Sequence, residues 1–236
     1  RPNFMKIAPI LRALGKRNNR KGLAWKLVHT GQHYDYEMSQ AFFDDLEIPK
    51  PDYFLEAGSG SHAEQTAKIM IPFEKVCEEH RPNLVVVVGD VNSTLACSVV
   101  AKKMGIEVAH VEAGLRSFDL SMPEEINRMV TDAISDYFFV TEKSGVDNLK
   151  REGKSTERIF FVGHVMIDNL LYQLNRTNNG HLKFKYRELK EGLGKYIFMT
   201  LHRPSNVDQK TTLETIVAVL NRIAKTTPIV FPVHPR

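Results

Sequence analysis

Three carboxylates stand at or just beyond the predicted ends of two strands, where they could carry out acid–base chemistry. Asp90 follows the apolar, β-branched run 84–88, which is typical of a parallel strand buried on both faces. Glu112 follows a second predicted strand at 107–111, and Glu124 comes 12 positions later. Ligands of open parallel sheets bind beyond the carboxyl ends of the strands. The pattern therefore predicts a ligand site in which these acids move protons.

Asp90 also has a structural interpretation. A helix is predicted from residue 92 onward, and Asp90 could cap its first turn, as could Asn92, Ser93 or Thr94. The residue type does not separate a helix cap from a ligand contact, so both interpretations stay open.

Glu112 is harder to explain by structure alone. An unpaired buried carboxylate costs several kcal/mol, so Glu112 needs either a functional role or a partner such as Arg116. Glu124, in contrast, follows Pro123 and fits an ordinary helix start, because acids are favoured in the first turn. Its closeness to Glu112, with Arg128 one helical turn further on, keeps a functional role open beside the structural one.

Basic side chains follow the predicted strands in the second half of the chain. His202 and Arg203 come after one strand, and His234 lies near the end of the next. Two such groups on successive strands suit a phosphate-bearing ligand. Arg1 and Lys6 could add positive charge near the start of the chain. The acids and cations together predict an anionic, sugar-like or phosphorylated ligand.

The composition is that of a soluble globular protein and excludes several classes. The chain has 236 residues, 42% hydrophobic and 25% charged, with a net charge of +4 and no long basic run, so no nucleic-acid partner is expected. No apolar run approaches the ~20 residues of a membrane span. Dinucleotide, P-loop, nucleophile-elbow and zinc motifs are absent, so we expect no cofactor and no metal. Cys77 and Cys97 predict buried thiols in a reducing cytoplasm.

Alternating strands and helices predict an α/β protein with a doubly wound parallel sheet. The alternation runs from residue 24 to residue 162 with short connections. A second α/β region then begins, with predicted strands at 196–200 and 229–236. We therefore expect a first domain at residues 1–164 and the start of a second domain at residues 165–236.

Seven segments make the sequence similar to a known family. The chain resembles the non-hydrolysing UDP-N-acetylglucosamine 2-epimerases through RPNFMKIAP, TGQH, VVGDVNST, HVEAGLRS, MPEEINR, LHRPSNVD and FPVHPR, in this order. The resemblance covers essentially the whole chain. It implies two Rossmann-like domains arranged as in GT-B glycosyltransferases. It also implies the interconversion of UDP-GlcNAc and UDP-ManNAc without a cofactor, by elimination of UDP to 2-acetamidoglucal and its re-addition.

The same resemblance implies roles for individual residues. Asp90, Glu112 and Glu124 would be the acid–base carboxylates, with the division of steps among them left open. His202 would assist the departing diphosphate. The implied substrate-binding positions are Arg1, Lys6, Gln32, His33, Arg128, Arg203 and His234. Gln32 and His33 match a region that is associated with UDP-GlcNAc activation in bacterial members.

The resemblance also implies features beyond the catalytic residues. Family members are expected to be cytoplasmic homodimers that supply UDP-ManNAc for polysaccharide biosynthesis. A family member should have a first strand ahead of Arg1 and much of its second domain beyond Arg236, so we expect the chain to be a fragment.

Three other functions stay open. A hydrolysing 2-epimerase would release free ManNAc and UDP. A GT-B glycosyltransferase would need an acceptor pocket with apolar loops, for which the sequence shows no patch. A nucleotide-sugar-binding module would need the cations but not all three carboxylates.

Overall fold

The computed structural model describes residues 2–17, 23–31, 42–180, 186–201 and 204–233. The chain divides into two compact units, Arg1–Asn175 and Arg176–Arg236. The domain boundary predicted after residue 164 describes which segments fold independently. It therefore stays a prediction.

The strands form three parallel sheets. In chain order the strands are β1 (Val28–His29), β2 (Tyr53–Phe54), β3 (Leu84–Val88), β4 (Glu107–Val111), β5 (Tyr137–Val140), β6 (Ile159–Phe161), β7 (Ile197–Phe198) and β8 (Ile229–Val230). β1 pairs with β2, β7 pairs with β8, and the main sheet has the order β3-β4-β5-β6. All of these pairings are parallel, so the α/β class with parallel sheets is confirmed.

Helices connect most of the strands. They are α1 (Pro2–Arg17), α2 (His62–His80), α3 (Asn92–Lys103), α4 (Pro123–Ile134), α5 (Lys143–Arg151), α6 (Val165–Asn178), α7 (Arg187–Leu193), α8 (Pro204–Val207) and α9 (Lys210–Ala224). A short 3₁₀ turn, Thr156–Arg158, precedes β6. Residues 42–46 are also helical. In the part of the chain that the structure describes, no helix is both long enough and apolar enough to cross a membrane.

The main core of the first unit lies between α2, α3 and the strands β3 and β4 of the main sheet. A capping box defines where α2 begins, because Ser61 accepts from the backbone of Glu64 while the Glu64 carboxylate accepts from the backbone of Ser61. The core side chains are apolar: Ala57, Ile69, Phe73, Cys77, Val87, Ala96, Cys97, Val100, Ala101, Ile106 and Val108. Cys77 and Cys97 are free and buried, and burial raises the pKa of both thiols.

The expectation about the burial of β3 was wrong, and one of the two open interpretations of Asp90 is excluded. The β3 strand is not buried on both faces, since Leu84 and Val86 are 42% and 46% exposed. The reason is that β3 is an edge strand of the main sheet, whereas β4, with neighbours on both sides, is buried from Val108 to Val111. The N-cap of α3 is Val91, without a side-chain cap, so Asp90 is not the N-cap.

The second unit contains one short parallel pair of strands and three helices among its described residues. β7 and β8 pair through Ile197–Ile229 and Phe198–Val230, with α9 between them in the chain. Both strands are shorter than predicted.

Candidate active site at two strand ends

Parallel pairing places the ends of β3 and β4 side by side. Val88 pairs with Val111, and the backbone N–H of Gly89 donates to the carbonyl of Val111 at 3.0 Å. The chain leaves β3 through Gly89, whose φ of +74° is readily adopted only by glycine. An added Cβ at Gly89 would also lie 3.2 Å from Lys6 Nζ. Asp90 therefore leaves the sheet at a tight turn against α1.

The Asp90 carboxylate binds Arg128 of α4. Arg128 Nε and Nη2 each lie 3.1 Å from Asp90 Oδ2. The Asp90 side chain is 33% exposed, so this ion pair is open to solvent. Arg128 also donates from Nη1 to Glu125 Oε2 at 2.6 Å. One arginine thus links the end of β3 to the first turn of α4.

Glu112 has a strained backbone and a cation as partner. It is the first residue after β4 and its φ is +74°, a conformation that costs of order 1–3 kcal/mol for a residue other than glycine. Its carboxylate forms an ion pair with the largely buried Lys6 Nζ of α1. Arg116, named from the sequence as an example of a partner for Glu112, is not that partner. Arg116 lies only four residues away but binds Asp132 and Glu152 instead.

Glu124 is the third predicted acid and differs from the other two. It is exposed, and it has no hydrogen-bond or ion-pair partner among the residues that the structure describes. It lines the same pocket as Asp90, a depression of about 200 Å³. The lining residues are His62, Gln65, Asp90, Val91, Asn92, Pro123, Glu124 and Asn127. We call Asp90, Glu112, Glu124, Lys6 and Arg128 the strand-end site.

Glu125, next to Glu124 in the sequence, has a structural role. It is 1% exposed and accepts from the backbone N–H groups of Ser117 and Phe118 at 2.9 and 3.0 Å. Burial opposes ionisation, but these amides and Arg128 hold the pKa of the Glu125 carboxyl below its ordinary value. The two adjacent glutamates therefore have different roles. Glu125 stabilises the loop before α4, and Glu124 faces the pocket.

An amide cluster that the sequence analysis did not predict supports the pocket. Asn127 Nδ2 donates to the carbonyl of Asp90 at 2.9 Å and to Asn92 Oδ1 at 3.2 Å. Asn92 Nδ2 donates to Gln65 Oε1 at 2.8 Å and lies 3.1 Å from His62 Nδ1. No motif signals this cluster, because its members come from α2, α3 and α4 and meet only in three dimensions.

A buried network of charges lies behind the site. It consists of the buried His110, Asp132 and Arg116, with the 39% exposed Glu152 at its outer end, and we call it the buried network. His110 and Asp132 are both 0% exposed, with His110 Nδ1 and Asp132 Oδ1 2.7 Å apart. Arg116 Nη1 donates to Asp132 Oδ2 at 2.8 Å, and Arg116 forms two further bonds with Glu152 at 2.7 and 2.8 Å. Burial opposes ionisation of Asp132, but His110 and Arg116 hold the pKa of its carboxyl below its ordinary value.

Several predicted site residues fall outside the described residues. They are Arg1, Gln32, His33, His202, Arg203 and His234. Of the predicted set, the structure brings together Asp90 with Arg128 and Glu112 with Lys6, and it places Glu124 in the pocket of Asp90. Within the described ranges, no group of three His, Cys, Asp or Glu side chains could hold a metal ion.

Comparison with known proteins places the chain in one family. A family model described as UDP-N-acetylglucosamine 2-epimerase matches residues 16–236. The chain is 44% identical, over its whole length, to a Methanocaldococcus jannaschii protein named UDP-N-acetylglucosamine 2-epimerase, and covers 64% of it. It is 40% identical to a Pseudomonas aeruginosa protein named UDP-2,3-diacetamido-2,3-dideoxy-D-glucuronate 2-epimerase, matching all of this chain and 65% of that protein.

A solved structure of the Methanocaldococcus jannaschii UDP-GlcNAc 2-epimerase, in complex with UDP-GlcNAc and UDP, superimposes with a TM-score of 0.83. It is 43% identical, and the match covers all of this chain and 64% of the solved one. Its fold confirms the GT-B-like α/β class. The chain belongs to the UDP-N-acetylglucosamine 2-epimerase family, and it spans about 64% of the length of the relatives that it matches.

Proposed function

We propose that the full-length protein interconverts UDP-GlcNAc and UDP-ManNAc by inverting the configuration at C2 of the sugar. One observation carries the proposal: the ends of two adjacent parallel strands present Asp90 and Glu112, each held by a cation, and Asp90 shares its pocket with Glu124, which has no partner within the described ranges. Family membership supplies the substrate class, since relatives of this chain are named for this reaction.

The chemistry assigns a task to the acids. A base removes the proton from C2 while the bond between C1 and the UDP oxygen breaks, and the oxygen keeps the electron pair. The products are 2-acetamidoglucal and UDP. In the return step UDP attacks C1, and a proton is delivered to the opposite face of C2. A proton leaves one face of C2 and another arrives at the opposite face, so proton-transferring groups are required on both sides of the sugar.

The contacts of the three acids differ in a way that bears on their roles. Asp90 and Glu112 are oriented by ion pairs with Arg128 and Lys6, which suits groups that must keep one position. Glu124 is exposed and free to move against a ligand in the pocket. All three are proposed as acid–base groups, and the order in which they act stays open.

Lys6 and Arg128 are the described cations that could meet an anionic substrate. Their present partners are carboxylates, so a diphosphate oxygen would compete for the same donors. The roles proposed for His202 in diphosphate departure, and for Arg1, Gln32, His33, Arg203 and His234 in binding, rest on the resemblance to the family.

The test is to incubate the full-length protein with UDP-GlcNAc in deuterated water. We expect UDP-ManNAc to form and deuterium to appear at C2 of both sugars. Absence of both signals would reject the proposal. Free ManNAc with UDP as the main products would assign the hydrolysing reaction instead, and transfer of the sugar to an acceptor would assign a glycosyltransferase.

A second substrate is a candidate because of one comparison. The Pseudomonas aeruginosa relative, at 40% identity, is named for a UDP-2,3-diacetamido-2,3-dideoxy-D-glucuronate. That sugar carries a further carboxylate and an amide at C3, but its C2 chemistry is the same. The ratio of kcat/KM for the two UDP sugars decides between them, and a ratio of at least about tenfold, or 1.4 kcal/mol, marks a clear preference.

Two further proposals concern the protein in the cell. We propose a homodimer, and the exposed apolar side chains around the start of α4 support it; these include Phe118, Leu120, Ile126 and Met129. Light scattering of the full-length protein would show a mass of two chains, and a monomer would reject this proposal.

A cytoplasmic location is also proposed, because nucleotide sugars are the proposed substrates and both cysteines are free thiols.

A further inference from the structure

We propose that His110 is a positioning residue that holds the peptide group preceding Asp90 in place, and so fixes where the Asp90 carboxylate stands. The inference rests on the proposed function, since it assigns His110 a task in the same site. His110 lies on β4, two residues before Glu112, and is 0% exposed.

Each ring nitrogen of His110 lies within hydrogen-bond distance of an oxygen atom. His110 Nε2 lies 2.8 Å from the carbonyl oxygen of Gly89, which can only accept. His110 Nδ1 lies 2.7 Å from Asp132 Oδ1, and that carboxylate also accepts from Arg116 and from the backbone N–H of Gly114. The ring thus bridges the backbone carbonyl of Gly89 and the carboxylate of Asp132.

The Gly89 carbonyl matters because of the residue that follows. The carbonyl of Gly89 and the nitrogen of Asp90 belong to one planar peptide group, so fixing the oxygen fixes the start of Asp90. Glycine is the residue with the widest choice of backbone conformations, and Gly89 adopts a φ of +74°. An external hydrogen bond is therefore needed to select a single orientation of this peptide group.

The buried network reaches all three segments that carry a predicted acid. His110 binds Gly89, next to Asp90. Asp132 Oδ2 accepts from the backbone N–H of Gly114 at 3.0 Å, two residues beyond Glu112. Asp132 itself lies on α4, the helix whose first turn contains Glu124. One histidine–aspartate pair thus connects the end of β3, the end of β4 and α4.

Two substitutions separate the two bonds of the ring. In His110→Asn the side-chain nitrogen falls near the position of Nδ1, so the bond to Asp132 is kept and the bond to Gly89 is lost. In His110→Gln the nitrogen falls near the position of Nε2, so the bond to Gly89 is kept and the bond to Asp132 is lost. His80→Asn at the end of α2, where His80 contacts Tyr53, is the matched control.

The experiment measures kcat and KM of the full-length variants together with the backbone amide exchange of the segment around Gly89 and Asp90. We expect His110→Asn to lose about 10- to 100-fold in kcat at similar KM, because small displacements of a reacting group carry costs of this size. Amide exchange at Gly89 and Asp90 should be faster in His110→Asn than in His110→Gln. His110→Gln should keep most of its kcat, and His80→Asn should match the parent.

Equal losses of kcat in the two His110 variants, or unchanged amide exchange at Gly89 and Asp90 in both, would overturn the proposal and leave His110 as a stability residue. If the parent protein does not epimerise UDP-GlcNAc, the proposed function fails, and the amide exchange still decides whether His110 holds the peptide group before Asp90.

Discussion

Two clusters of charge lie at the carboxyl end of β4, and they differ in how completely their charges are matched. In the buried network, the His110, Asp132 and Arg116 side chains are 0–2% exposed and each has a partner, with the 39% exposed Glu152 at the outer end. In the strand-end site, the Asp90 side chain is 33% exposed and Glu124 has no partner among the described residues. A fully matched buried network holds structure, whereas partly exposed charges with spare acceptors are available to a ligand. The first cluster should therefore govern stability and the second should govern turnover.

The largest effect should come from Glu112 in the strand-end site. Glu112→Gln keeps the size of the side chain but removes the charge, and we expect kcat of the full-length protein to fall by about 10²–10⁴-fold if Glu112 is a general acid or base. The Tm should fall less than in Asp132→Ala, because the Gln amide oxygen can still accept from the buried Lys6. Glu107→Gln, an exposed glutamate at the start of the same strand, is the control. Near-normal turnover in Glu112→Gln would remove it from the site.

Asp132 should show the opposite pattern. Asp132→Ala leaves His110 and Arg116 without their shared buried partner, so the free energy of unfolding should fall by about 3–5 kcal/mol. Asp147→Ala, on the exposed side of α5, should change it by no more than about 0.5 kcal/mol. Chemical denaturation of the full-length protein measures both. A loss below about 1 kcal/mol in Asp132→Ala would contradict the structural role of the buried network.

Acid should lower the free energy of unfolding, as Asp132→Ala does. The loss should be smaller, because a protonated Asp132 still occupies the same space. The folded-state pKa of Asp132 is depressed, so its contribution to stability is fully present above the unfolded value of about 3.9 and is lost as the pH falls through the folded value. Glu125 acts in the same sense. The difference in unfolding free energy between the parent and Asp132→Asn should therefore narrow below about pH 4. A constant difference down to pH 2 would argue against a depressed pKa.

Glycine at the turn after β4 tests how tightly this turn packs against α5. An added Cβ at Gly114 would lie 2.3 Å from the carbonyl oxygen of Gly145, whereas one at Gly105 meets nothing within 4 Å. Both glycines have positive φ, at +79° and +73°. Gly105→Ala should cost about 1–2 kcal/mol for backbone strain, and Gly114→Ala about 1–3 kcal/mol more. Equal thermal shifts in the two variants would show that the turn can relax.

The smallest effect isolates the backbone strain of Glu112. Glu112→Gly and Glu112→Ala both remove the partner of Lys6, so their difference reports on the φ of +74° alone. We expect Glu112→Gly to be the more stable of the two by about 1 kcal/mol, although glycine is the more flexible residue in the unfolded chain. Both variants should be inactive. A less stable glycine variant would mean that this conformation is not strained.

The two strands that carry the site were predictable because their signal is local. The strands predicted at 84–88 and 107–111 coincide with β3 and β4. Parallel pairing then follows from the intervening helix, so the closeness of Asp90 and Glu112 follows from the order of elements alone. The extent of burial was less predictable, because Val86 on the edge strand is exposed while the similar residue Val108 on β4 is not.

The sequence by itself determined the parallel α/β class, the positions of Asp90, Glu112 and Glu124 after strands or at a helix start, and the resemblance to the epimerase family. The tertiary structure decided which charges meet. Glu112 binds Lys6, which is 106 positions away in the chain, rather than the nearby Arg116, and His110 of an apolar strand becomes the link between Gly89 and Asp132. Local patterns report on the backbone of one segment, whereas a side-chain partner is chosen among all segments that packing brings within about 3 Å.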